Sequence, residues 1–308
     1  MAIKTYKSPY GAEAEHRARR WVRHLALSSL ASVYQLSGRL SSLDRNRVQF
    51  LYLHHIFEDE EADFRRVLQY LSRRHALIGY SEAVERVWSG EIDRPYICFS
   101  FDDGLKNCLS AARILGEFGV PGCFFICPAM VGETDSQKLR EFCVRKLTLP
   151  PTELLTWDDA ETLLANGHEI GSHTMSHHVL SRITSEQVQD EIASSHEVLT
   201  RRLGSVKHFA WPEGLYSRFT AVAARTVFQA GFQSCASAER GCHVETSETV
   251  PSELCIRRDY IGAKWPLSHI AYFLMANSQF ASAKSNQWPT GWSDQIQPSA
   301  GKWLRQEG

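Results

Sequence analysis

The chain lacks a dominant charge. Its 34 Lys and Arg offset 35 Asp and Glu over 308 residues, a formal net charge of −1. That balance argues against a protein that grips nucleic acid through bulk electrostatics. There is no C-x-x-C pair among the eight cysteines, so neither a zinc knuckle nor a thioredoxin-like redox motif is available. Cys98 and Cys123 sit inside apolar runs, where a free thiol packs as a small hydrophobe. No internal repeat is visible and no clear secretory signal, so a reducing compartment, the cytoplasm, is expected.

Long apolar runs are missing too. The stretch Leu25 to Leu36, preceded by Arg17, Arg19, Arg20, Arg23 and His24, is too short and too serine-rich to span a bilayer. It reads as an amphipathic helix packed on the domain. The alternatives are a helix lying on an anionic membrane surface, at its inner face, and a signal or anchor. A hydrophobic fraction of 43% is ample for a packed core. The expected organisation is a basic helical extension over 1–45, a main folded domain over 46–276 and a polar tail over 277–308. Trp288, Trp292 and Trp303 are unusual in such a tail, and docking on the domain or on a partner would account for them.

From position 46 onward, short apolar runs alternate with helical spacing. Strands are expected at Val48–His55, Tyr96–Phe101, Gly122–Cys127, His168–His173, His208–Pro212, Phe232–Ala236 and Leu254–Arg258. Between them helices fit Glu61–His75, Ser81–Trp88, Leu105–Phe118, Trp157–Asn166, Ser185–Leu203 and Ser217–Ala230. The clearest, Ser185–Leu203, has a Thr184/Gln187 capping box and Gly204 as its stop. Such alternation implies an α/β fold with parallel strands and helical crossovers. Seven strands fall one short of a full barrel, and an open doubly wound sheet fits the same pattern. In either, functional residues belong at the carboxyl ends of the strands.

Two motifs stand at such ends. In Phe99-Ser100-Phe101-Asp102-Asp103-Gly104 an apolar strand runs into adjacent carboxylates. Their repulsion calls for a cation or a proton unless one merely caps the next helix. In His173-Thr174-Met175-Ser176-His177, two imidazoles four residues apart would share a face of a helical turn and reach one ion. Two His, a carboxylate and an open position describe a catalytic metal site, with zinc the default divalent ion and cobalt, nickel or iron also suited.

Ser100–Gly104 and His173–His177 resemble the two principal motifs of the polysaccharide deacetylases, the NodB-homology family, in the same order. The resemblance extends over roughly Val48 to Met275, with Tyr52-Leu53-His54-His55 and Trp157-Asp158-Asp159 as further matches. It implies a distorted (β/α) barrel of seven parallel strands and metal-dependent N-deacetylation of an amino sugar. It implies Asp102 as general base and Asp103, His173 and His177 as metal ligands.

A third motif is divergent: Phe209-Ala210-Trp211-Pro212-Glu213-Gly214 carries Glu213 where the family usually has Tyr, and Ala210 where many members have Arg. The resemblance needs only the Glu213 backbone N–H, as an oxyanion donor. Arg258, or its neighbour Arg257, is the expected substitute for the missing arginine. No late histidine matches the family's general acid: His243 and His269 fit poorly. His54 or His55 could face the site in support of the ligands or the substrate.

The expected substrate is a nucleotide-linked, lipid-linked or polymeric amino sugar in surface-polysaccharide synthesis. A formamido-sugar deformylase is a close alternative and a purine-ring amidohydrolase a more distant one. A metal-retaining, non-catalytic sugar-binding subunit is the alternative of another kind.

Overall fold

The computed structural model describes residues 25–31, 33, 39–245, 254–281, 288, 289 and 292. Nine strands form one sheet: β1 (Arg47–Leu53), β2 (Ala76–Leu77), β3 (Pro95–Phe101), β4 (Gly122–Ile126), β5 (Glu169–Ser172), β6 (His208–Ala210), β7 (Ser234–Ala236), β8 (Leu254–Ile256) and β9 (Arg258–Tyr260). Their order is β8-β7-β6-β5-β4-β3-β1-β9, with β2 paired to the start of β3, and the paired strands are parallel.

The two ends of that order, β8 and β9, are one stretch of chain interrupted at Arg257. The stretch pairs with β7 on one side and β1 on the other, so the sheet returns on itself. Counted this way the barrel has seven staves, and they coincide with the seven apolar runs of the sequence. β2 is an additional two-residue strand.

Strand alternation sorts the core. In β3, Tyr96 and Cys98 join Val48, Phe50, Cys123, Phe125, Ala210 and Ala236 in one cluster that fills the barrel. Ile97, Phe99 and Phe101 point the other way, into the larger cluster beneath the helices. The interior row of β3 continues to Ser100 and Asp102. Helix α2 (Tyr80–Ser89), which follows α1 (Glu61–Leu71), adds Tyr80, Val84 and Val87 to the interior. Gly171 in β5 is obligatory here: a Cβ would stand 2.4 Å from the Phe125 ring.

Further along the chain come α3 (Cys108–Glu117), α4 (Ser136–Arg140), α5 (Trp157–Ala165), α6 (Ser185–Leu203), α7 (Ala221–Ala230) and α8 (Leu267–Phe280). α6 has the expected bounds, capping box and stop at Gly204. α3 begins three residues later than its periodicity suggests. Leu105 is instead tied to Leu154 by an antiparallel bridge, and Lys106 N–H donates to Glu153 O at 2.8 Å. α7 starts at Ala221 because Thr220 caps it through the Ala223 N–H.

Candidate metal centre and catalytic cavity

Asp102 and Asp103 are adjacent in the chain yet face different partners. Asp102 N–H still donates to Leu53 O at 3.0 Å, which keeps it in the strand frame. Asp103 turns through a left-handed backbone, φ 78°. That conformation is disfavoured for a side-chain-bearing residue by about 1–2 kcal/mol, and such strain gathers where a site needs it. Thr174, His177 and Glu213 share the left-handed region, with φ of 64°, 62° and 62°.

Asp103, His173 and His177 are all buried, and their ligand atoms lie within 4.8 Å of one another. The Nε2 atoms of His173 and His177 stand 3.4 and 3.2 Å from the same Asp103 Oδ1. The sequence expectation of a shared helical turn is corrected here: residues 173–179 form no helix. β5 ends at Ser172, and the chain bends back through Thr174, whose Oγ1 accepts from the His177 N–H at 3.0 Å. The bend replaces the helix face as the device that aligns the two rings.

His173 donates from Nδ1 to Ala210 O at 2.8 Å, which leaves the Nε2 lone pair for the centre. Phe142 packs edge-on against His177, with ring centroids 5.8 Å apart. Burial pushes the Asp103 carboxyl up, but hydrogen bonds from His173 and His177 outweigh it and hold it well below the usual range. Burial lowers His173, and Asp103 more than reverses that. A buried carboxylate facing two imidazoles thus demands positive charge, supplied either by protonation or by a divalent cation. The donor set suits the cation: one oxygen and two imidazole nitrogens converging from two loops.

Asp102 is gripped by Arg258 in a two-pronged pair, Nη1–Oδ1 2.7 Å and Nη2–Oδ2 2.8 Å. Arg258 is fully buried, donates also to Ser100 Oγ and Ser237 O, and lies over the Tyr52 and Phe125 rings. Burial opposes its charge, but Asp102 more than compensates, so it remains a guanidinium. Arg257, by contrast, is only part-buried, and its guanidinium lies over the Tyr216 ring. Strand alternation decides between the two arginines.

A cavity of ≈ 290 Å³ opens above this group. Besides the two Asp and two His it is lined by Tyr52, His54, His55, Lys146, Trp211 and Glu213, among others. Glu213, a lining residue, pairs its carboxylate with Arg218 at 2.7 Å. Gly214 is fixed by geometry as well as by φ 62°, since a Cβ would lie 2.2 Å from the Ala238 Cβ.

His54 packs against Tyr52 and Tyr260, with centroids 5.5 and 5.6 Å away, and burial lowers its pKa. His55 is tied to Glu60 at 3.0 Å. Glu60, which the sequence suggests only as part of an acidic helix start, is buried and also accepts from the Phe57 N–H. His243 pairs with Val48 and accepts from Arg257 N–H, and His269 bonds Ser28, so neither lines the cavity.

A family model described as polysaccharide deacetylase matches residues 89–231, a span that includes Asp102, Asp103, His173, His177 and Glu213. Among solved structures, IcaB from Ammonifex degensii is 17% identical, covers 75% of this chain and 97% of its own, and superposes with a TM-score of 0.60. The Streptococcus pyogenes deacetylase PplD, in complex with acetate, is 14% identical, with 74% and 98% covered and a TM-score of 0.60. BC0361, a polysaccharide deacetylase from Bacillus cereus, is 19% identical, with 75% and 69% covered and a TM-score of 0.58. These likenesses establish the NodB-like barrel fold, and residues 89–231 are similar to the polysaccharide deacetylase family.

Proposed function

We propose that the protein is a divalent-metal-dependent N-deacetylase of an N-acetylated amino sugar, acting in surface-polysaccharide synthesis. The observation that carries this reading is a single cavity holding three convergent ligands beside a carboxylate locked by a buried arginine. A binding module would gain nothing from burying Arg258 to orient Asp102. When bound at Asp103, His173 and His177, a cation such as zinc supplies Lewis-acid activation of water and of the acyl oxygen.

The chain's own residues divide the remaining work. In this reading Asp102 is the general base that takes the proton of the attacking water. Arg258 holds both carboxylate oxygens and fixes the direction of the free lone pairs. The Glu213 N–H, at the left-handed turn, is the proposed donor to the developing oxyanion, a contact typically worth about 3 kcal/mol of barrier. His54 is the imidazole of the cavity that is neither a proposed ligand nor tied to Glu60; its lowered pKa keeps it neutral, which suits a hydrogen bond to the sugar, and the proton taken up by Asp102 is the one returned to the departing amine. The cavity's mixed lining suits one sugar ring, carried on a nucleotide, a lipid or a growing glycan. All eight cysteines are free and buried, in keeping with action on the cytoplasmic side. No helix among the described residues is long and apolar enough to cross a membrane.

The test is release of acetate or formate from N-acetyl- and N-formyl-glucosamine oligomers by the zinc-loaded protein. Acetate release, reduced at least about 100-fold in Asp102→Asn with zinc still bound, is expected. Formate release alone would move the assignment to a deformylase. No release from any acylated sugar would favour the binding-subunit alternative.

A further inference from the structure

The C-terminal segment, polar by composition, places Trp288 in the core beside the catalytic cavity. Trp288 is 7% exposed. Its ring lies within 22° of parallel to both Trp211 and Phe219, with centroids 6.4 Å from each. Trp211 and Phe219 are themselves stacked at 4.2 Å and 7°. Trp292 extends the pile outward, 5.9 Å from Trp288 and 5.8 Å from Tyr216. Phe228 of α7 closes the other side of Trp288.

The inner end of this pile is part of the site. Trp211 lines the cavity and is attached to both ends of the turn that carries Glu213. Its carbonyl accepts from the Gly214 N–H at 3.1 Å, and its indole Nε1 donates to Leu215 O at 3.1 Å. The turn is held from the other side by Ala238 N–H donating to Gly214 O at 2.7 Å. Glu213 and Gly214 both stand at φ 62°, so the turn has little intrinsic preference for its shape and depends on these attachments. The position of the indole therefore sets the position of the Glu213 N–H.

We propose that Trp288 is a positioning residue for the deacetylase site: by backing the Trp211–Phe219 stack, it holds the Trp211–Leu215 turn in the shape that presents the Glu213 N–H. The inference rests on the functional reading above for its effect on catalysis, but its structural half stands alone. Loss of the Trp288 ring, which lies beside both stacked rings at 6.4 Å, opens that side of the stack to water and frees the indole to tilt. The metal ligands, on the loops after β3 and β5, are untouched by that change.

The experiment compares Trp288→Ala, Trp288→Leu and Trp288→Phe in the full chain. Amide exchange is read at Gly214 and Ala238, with Asp102 and His173, bonded to Leu53 O and Ile126 O, as controls. The expected result for Trp288→Ala is exchange at least about tenfold faster at Gly214 and Ala238, with the controls unchanged. With it, kcat falls about tenfold at unchanged KM and zinc stoichiometry. Trp288→Phe, which keeps a flat ring, restores both. Trp288→Leu keeps apolar bulk without a ring and decides the question if the alanine variant fails to fold.

Unchanged exchange at Gly214 and Ala238 would overturn the proposal, as would equal acceleration at all four amides, the mark of general destabilisation. If the parent protein deacetylates no sugar, the functional reading fails by itself, and the exchange comparison still decides the role of Trp288.

Discussion

Asp102 and Asp103 show how one residue of chain separates two tasks. Strand alternation sends Asp102 into the barrel against Arg258, and a left-handed φ turns Asp103 toward His173 and His177. The carboxylates and histidines were legible in the sequence because their chemistry tolerates few substitutes. Arg258 was legible only as one of a pair, since nothing local distinguishes it from Arg257 until the inward row of the last stave is fixed. Glu60 was not legible, because an acidic helix start explains Glu58 to Glu61 without burial. At the oxyanion turn the side chain and the backbone make opposite demands. Glu213→Ala loses only a half-exposed ion pair to Arg218, worth at most about 1 kcal/mol. It is expected to keep deacetylation within about fivefold, since the proposed donor is the backbone. Gly214→Ala must fit a Cβ 2.2 Å from Ala238 at φ 62° and is expected to abolish activity. Steady-state kinetics on the two variants checks the contrast. Equal losses would show that the Glu213 carboxylate itself takes part.

At the scale of elements, seven apolar runs gave the staves because buried parallel strands read as continuous Val, Ile and Phe. β2 escaped notice, as two residues carry no alternation. So did α4 and the π-helical turn Glu141–Lys146 that follows it, a mostly polar excursion with no helical period. That excursion brings Lys146 and Leu147 to the cavity and Phe142 to His177. At the opposite end of the barrel, Glu169 at the start of β5 accepts from Ser81 N–H and Oγ and lies 3.5 Å from His208 Nε2. Burial pushes the Glu169 carboxyl up, but His208 and then Ser81 outweigh it and bring it from 4.5 down to about 2. A depressed folded pKa adds stability that is complete above pH 4.5 and is lost as pH falls toward 2. Denaturant unfolding should therefore find Glu169→Gln less stable than the parent by on the order of 2–3 kcal/mol at pH 6, and by clearly less at pH 3. A deficit of the same size at both pH values would contradict the ionic account.

For the whole molecule, one stretch interrupted at Arg257 closes the barrel and supplies Arg258, so the closure of the fold and the grip on Asp102, the proposed base, are the same event. Of the Arg17–Leu36 extension, residues 25–31 and 33 are described, in helix. Ser28 bonds His269 and Ala31 is buried, while Leu25, Leu30 and Val33 are exposed. Residues 1–24 and Trp303, with most of the tail, lie outside the described residues. The central claim is that Asp103, His173 and His177 hold the cation on which deacetylation by this barrel depends. Its most direct test is acetate release by chelator-stripped protein as zinc is added back, beside a His173→Ala, His177→Ala double variant. The account predicts activity that rises with zinc and saturates near about one ion per chain, with none recovered in the double variant. Full activity in the stripped protein, or equal recovery in the double variant, would contradict it.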